Sequence, residues 1–174
     1  MTQEDKELLL KDLCARLNTK SVCSIYRMDD QGIGFRNEIL YGYWNIDGWN
    51  EFYFGEDCGI SINDVSKIKP YLRPMSSITE EEFAKLKEYG RLEHDQLDLV
   101  SFQNGAYKML DFYISGVPSG AVIRVFDWLN TYHFDYRDLI QMGLAIDATN
   151  LNIYWYMTVE EKALILVRKQ RQCP

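Results

Sequence analysis

Apolar residues near the N-terminus repeat with a helical period. Leu9, Leu10, Leu13, Cys14 and Leu17 fall on one face, and Lys6, Lys11, Asp12 and Arg16 on a face expected to stay wet. Thr2 with Asp5 marks a start and Asn18 a stop, so the pattern predicts a helix over residues 4–17. Over residues 21–62 the pattern becomes β-rich, with candidate strands at 21–28 and 33–41 around a turn at 29–34. The pair Asp47-Gly48 between aromatic runs is a strong hairpin signal. Tyr43, Trp44, Trp49, Phe52, Tyr53 and Phe54 would then cover both faces of that hairpin. Short strands with tight turns suggest a small antiparallel barrel or a curled sheet. Gly32 and Gly34 read as turn glycines, because no phosphate-loop pattern and no helix start follows them.

Residues 64–79 contain Pro70 and Pro74, each excluding helix from the residue before it, and read as a connector. Thr79 and Glu82 form a capping-box pattern that opens a helix to Tyr89, with Gly90 just past its end. Leu97, Leu99, Val100 and Phe102 hint at a strand, and His94 and Asp95 beside them read as solvated loop. Residues 106–114 suit a helix with Met109, Leu110 and Tyr113 inward. Gly116 to Gly120 is a break, with Ser119 a cap for the helix that follows. In that helix Val125, Trp128, Leu129 and Tyr132 share an apolar stripe. A tight corner comes next, then a second short helix capped by Asp135, carrying Asp138 in its first turn and stopped by Gly143. Leu139, Ile140 and Met142 would be its buried face. Residues 150–156 alternate as a strand, and Thr158 to Glu161 repeats the capping-box pattern before a terminal helix over 159–171.

The expected fold is therefore α+β: an N-terminal helix, a small antiparallel β-barrel-like or curled sheet module, and a helical C-terminal part. The expected division is residues 1–66, helix plus β module, and residues 67–174, mainly helical, the two sharing one core.

Charge changes the functional picture more than size does. The 174 residues carry a net charge of −7 with a pI near 4.9, which argues against a nucleic-acid binder. Arg168, Lys169 and Arg171 form the only basic cluster, and at a helix C-terminus they suit the dipole better than a phosphate. Aromatic content of 14%, with 12 Tyr and 4 Trp, favours either a binding surface or a strand-rich core. Cys14, Cys23, Cys58 and Cys173 lack zinc-ligand spacing, and with an acidic N-terminus they read as reduced thiols of a cytoplasmic protein. No apolar run approaches the length that spans a bilayer, so no membrane partner is expected.

Two places are candidates for chemistry. Tyr43, Trp44, Trp49, Phe52 and Tyr53 would anchor a protein partner, since buried aromatics carry much interface energy, with the core of a barrel as the competing role. His133, Asp135, Tyr136 and Arg137 crowd the corner and offer a proton shuttle and a bidentate anion clamp. Capping and a corner salt bridge explain the same residues locally, and that reading is preferred. Glu80, Glu81 and Glu82 at a helix start suit dipole and capping better than metal. No nucleophile elbow, zinc motif or phosphate loop points to catalysis, so no catalytic residue, metal or cofactor is assigned.

Three stretches carry a resemblance: residues 8–17 (LLLKDLCARL), 68–82 (IKPYLRPMSSITEEE) and 128–148 (WLNTYHFDYRDLIQMGLAIDA). They resemble short uncharacterised proteins of gut Bacteroides-type bacteria, their prophages and mobile elements. The resemblance implies an N-terminal helix, a β-rich module and a helical C-terminal part, and no activity. The chain departs from that pattern in residues 38–58 and beyond Ala148. The functional expectation is a non-enzymatic accessory protein of a phage or mobile element, in a bacterial cytoplasm, acting by protein–protein binding. The alternative is a small-ligand binder or enzyme using the His133/Asp135/Tyr136/Arg137 corner. The partner and the oligomeric state are left open.

Overall fold

A computed structural model of the chain describes residues 1–29, 32–47, 49–55, 59–92, 98–105 and 119–151. They form helix α1 (Gln3–Ala15) and strands β1 (Val22–Asp29), β2 (Gly32–Ile46), β3 (Trp49–Phe54), β4 (Ile60–Ile62) and β5 (Ile68–Pro74). Helices α2 (Glu80–Gly90), α3 (Leu99–Gln103) and α4 (Ser119–Thr131) follow, then strands β6 (Phe134–Asp135) and β7 (Ile146–Asp147). Along the seven-stranded sheet the order is β4-β3-β2-β1-β5-β6, with β7 also on β5. The fold is α+β as the pattern predicts, but the sheet is an open mixed one rather than a barrel. β1 to β5 pair antiparallel, while β6 and β7 join β5 in parallel.

Two compact units emerge. One is Met1–Leu72 with the stretch that begins at Leu139, and the other is Arg73–Asp138. In the first, Leu9 and Leu13 of α1 meet Cys23, Ile25, Leu40, Phe52 and Phe54 from one face of the sheet, with Leu139, Leu144 and Ala145 completing the core. Thr2 and Asp5 make the full capping box at the start of α1. Asp12 and Arg16, expected in solvent, are instead fully buried. The Arg16 Nε and Nη2 donate to the two Asp12 carboxylate oxygens at 2.7 and 3.0 Å. The Arg16 carbonyl then accepts the Thr19 N–H and hydroxyl, at 3.0 and 2.8 Å, and that hydroxyl meets the Ser21 hydroxyl at 2.8 Å. A helix end buried among strands needs such partners for its last carbonyls, and this cluster supplies them. Burial beside it pushes the Cys23 thiol well above its ordinary range.

The proline-bearing connector is strand β5. Pro70 is the last residue paired to β1 and immediately precedes Tyr71, the first paired to β7. Pro74 is the last residue of the strand. Each proline thus sits where a ladder ends, the place a strand tolerates a missing N–H. The expected hairpin is present, with Ile46 opposite Trp49 and Asp47 at φ 50°.

In the second unit Phe83 and Leu86 of α2 and Val125, Trp128 and Leu129 of α4 enclose Met75, Ile78, Phe102 and Phe134. Thr79 and Glu82 form the expected capping box, and Arg73 holds the same Glu82 carboxylate at 2.8 and 3.0 Å. Gly90 does not stop α2. It lies inside the helix, and Arg91 takes the left-handed position at φ 53°. The glycine is needed for packing, because a Cβ there would stand 3.0 Å from the Val125 Cγ2 and 3.1 Å from the Leu92 Cγ. Gly90→Val is expected to lose about 1–3 kcal/mol through overpacking. A urea titration checks this, and an unchanged midpoint would show that α2 and α4 can move apart freely.

Leu99 and Phe102, expected in a strand, belong to the short helix α3, capped by Asp98, whose carboxylate accepts the Ser101 N–H and hydroxyl at 2.9 and 2.7 Å. No second helix follows α4 over residues 136–142. His133 and Asp138 both sit at φ 61°, and an L-residue in that region ends a right-handed helix. Phe134 and Asp135 extend to pair with Arg73 and Pro74 instead. Gly143 is left-handed as expected, at φ 71°, but it closes a turn rather than a helix. Asn150, expected to open a strand, is in a turn, and the late strand is β7 at Ile146–Asp147. His94, Asp95, Cys58, Cys173, the helix expected at 106–114 and the terminal helix lie outside the described residues.

Candidate functional site

The expected aromatic anchor divides between two faces of the sheet. Along β3, side chains alternate, so Phe52 and Phe54 point into the core while Trp49, Glu51 and Tyr53 point away from it. Tyr43 stays with the core side, its ring 5.0 Å from that of Phe52 and its hydroxyl donating to the Asn50 side chain at 2.6 Å. Phe52 is fully buried and presents no surface for docking, and the half-buried Tyr43 lies on the core side of the sheet with it. Trp44 and Trp49 are 58% and 72% exposed.

A bulge in β2 is what turns Trp44 outward. The register passes from Leu40 opposite Phe54 to Gly42 opposite Tyr53, so Tyr41 is one residue extra. That shift reverses the alternation, leaving both Leu40 and Tyr43 on the core side and Trp44 on the other. Trp44 lies opposite Glu51, and Trp49 is two residues from Glu51 on the same strand, so the two indoles are diagonal neighbours. Such neighbours are roughly 7–8 Å apart, within reach of one ligand group. Glu51 is fixed between them, with its carboxylate accepting the Tyr53 hydroxyl at 2.7 Å and the hydroxyl of Ser61 on β4. These bonds, from Ser61 first and Tyr53 second, hold the carboxyl below its ordinary range. Glu51 and Ser61 carry no motif. The available signal for them was period-two placement beside Trp49 and Tyr53.

A second exposed apolar strip lies at the far end of β2. Tyr26 pairs with Phe35 and Met28 with Ile33, all four exposed, the two rings 5.1 Å apart. Closer to the centre of the sheet, Val22, Ile39 and Tyr71 are covered by Ile146 and Ala148.

The polar corner is mostly interior. His133 is fully buried, and Asp135 and Tyr136 nearly so. The His133 carbonyl accepts the Arg73 N–H at 2.8 Å, and its N–H donates to the Asn130 carbonyl at 3.1 Å. Asp135 is the last residue of β6 rather than a helix cap. The ring of Tyr136 packs 4.9 Å from Phe126, and the half-buried Arg137 guanidinium lies 4.3 Å over that same tyrosine. His133 and Asp135 shape the corner through backbone conformation and strand pairing, and Tyr136 and Arg137 add ring contacts to it. Among the described residues no group of His, Cys, Asp and Glu could hold a metal ion. None of the described helices is long and apolar enough to cross a membrane. Comparison with family models, curated proteins and solved structures found no match.

Proposed function

We propose that the chain is a non-enzymatic accessory protein that works by binding another protein through the outward face of β2, β3 and β4. The setting implied by the resemblance, a phage or mobile element in a bacterial cytoplasm, is part of this proposal. The observation that carries it is the exposure of Trp44 and Trp49 on a hydrogen-bonded sheet. Two exposed indoles side by side are uncommon on a surface facing only water, and tryptophan is enriched where interfaces concentrate their energy. The alternative of a ligand site at His133, Asp135, Tyr136 and Arg137 is less well supported, because three of these four side chains are buried against the protein itself.

Affinity capture from a native host lysate, read by mass spectrometry, tests the reading. Trp49→Ala should remove the captured partner while leaving the far-UV circular dichroism and unfolding midpoint unchanged, since the side chain is 72% exposed. Capture that survives both Trp49→Ala and Trp44→Ala would place the docking surface elsewhere.

A further inference from the structure

The acidic charge of the chain is concentrated in the stretch of sequence that supplies this face. Between Arg36 and Lys67 the sequence holds no lysine, arginine or histidine, while Glu38, Asp47, Glu51, Glu56, Asp57 and Asp64 all fall there. Six of the seven net negative charges of the chain therefore belong to residues 37–66. On the face itself the Glu51 carboxylate lies opposite Trp44 and two residues from Trp49, and a carboxylate beside exposed indoles attracts the opposite charge and selects partners by it. We propose that the face formed by Trp44, Trp49, Glu51 and Tyr53 takes an arginine-bearing segment of the partner protein, its guanidinium stacked on an indole and donating to the Glu51 carboxylate. This rests on the docking reading above and names the chemistry of the partner.

Arginine fits this face better than lysine. Its planar, weakly hydrated guanidinium stacks on an indole and still presents N–H donors at its edge. Each Glu51 oxygen already accepts one hydroxyl, which holds the carboxylate in place, and each has a lone pair left for a donor from outside. The aliphatic stem of the arginine would cover the second indole.

The test is fluorescence anisotropy of a labelled pentapeptide, Gly-Arg-Leu-Arg-Gly, with the full chain at low salt. Binding is expected to weaken about tenfold in Trp49→Ala and about fivefold in Glu51→Gln, both variants retaining the native unfolding midpoint. The peptide with citrulline in place of arginine should not bind, and raising the salt should weaken the arginine peptide. Because Glu51 is held below the usual carboxyl range, binding should persist as pH falls into that range. It should fade only below it, where the carboxylate gains its proton. Equal affinity for the citrulline peptide, or an unchanged affinity in Glu51→Gln, overturns the proposal in favour of an apolar partner. A dimer in sedimentation that Trp49→Ala dissociates overturns it in favour of a second copy. Tighter peptide binding when Arg168, Lys169 and Arg171 are all changed to glutamine would assign the face to the chain's own basic segment. If the peptide fails while capture still depends on Trp49, the docking reading stands and the arginine chemistry falls. If both fail, the docking reading falls with it.

Discussion

Asp12→Ala lowers the unfolding free energy by about 3–5 kcal/mol, the cost of leaving a guanidinium buried without its carboxylate. Both side chains have zero exposure and meet through two hydrogen bonds one helical turn apart. The unmutated pair is not strongly stabilising by itself, since taking two ions out of water offsets most of their attraction. Removing one ion is different, because the desolvation of the other remains. The double variant Asp12→Leu with Arg16→Met is therefore expected to recover most of the loss. Guanidinium titration followed by circular dichroism reads both effects, as a shift in midpoint with little change in slope. A loss under about 1 kcal/mol for the single variant would mean that water reaches Arg16.

Trp128→Ala is expected to cost about 3–5 kcal/mol, which for a chain of this length lowers the Tm by roughly 6–20 °C. Trp128 is 1% exposed and lies between two rings, Tyr132 at 4.1 Å and Phe134 at 5.8 Å, both nearly parallel to it. The Arg73 guanidinium covers Phe134 at 4.3 Å from its ring centre, so removing the indole opens a column of four planar groups. Trp128→Phe keeps one ring in the column and should lose less than half as much. Differential scanning calorimetry gives the shift, and near-UV circular dichroism reports whether the remaining rings keep their order. Equal losses for the alanine and phenylalanine variants would show that a single benzene ring restores neither the filled volume nor the stacking, so that the site depends on the whole indole.

Features with local causes were legible in the sequence. The start of α1, the Thr79 capping box and the β2–β3 turn each depend on residues within three or four positions of one another. Strand β5 was not, because its partners are at residues 23–25, 134–135 and 146–147, and its two prolines argue for a connector until those partners are known. The burial of Asp12 and Arg16 was hidden for a related reason. Charged residues at helical spacing mark a wet face unless a strand from elsewhere covers them and the two charges meet. The corner after α4 turned on two non-glycine residues at positive φ, His133 and Asp138, a conformation that side-chain type does not dictate. For the proposed docking face the tryptophans themselves were legible, but their direction was not. One extra residue at Tyr41 decides whether Trp44 or Tyr43 looks outward. Glu51 became visible as a member of the face only through the hydroxyls of Tyr53 and Ser61.

The first unit is discontinuous in sequence, and this sets an order of events on the ribosome. Residues up to Leu72 emerge early with α1 and five strands, yet Leu139, Leu144 and Ala145 belong to the same core and β7 pairs with β5. All of these arrive after Arg73–Asp138 has been made. For the time it takes to add about seventy residues, several seconds at ordinary elongation rates, the nascent sheet has an open flank at Tyr71 and Leu72. A chain released before Leu139 keeps its exposed tryptophans but lacks the segment that closes its core. Premature termination would thus yield an aggregation-prone fragment rather than a smaller working protein.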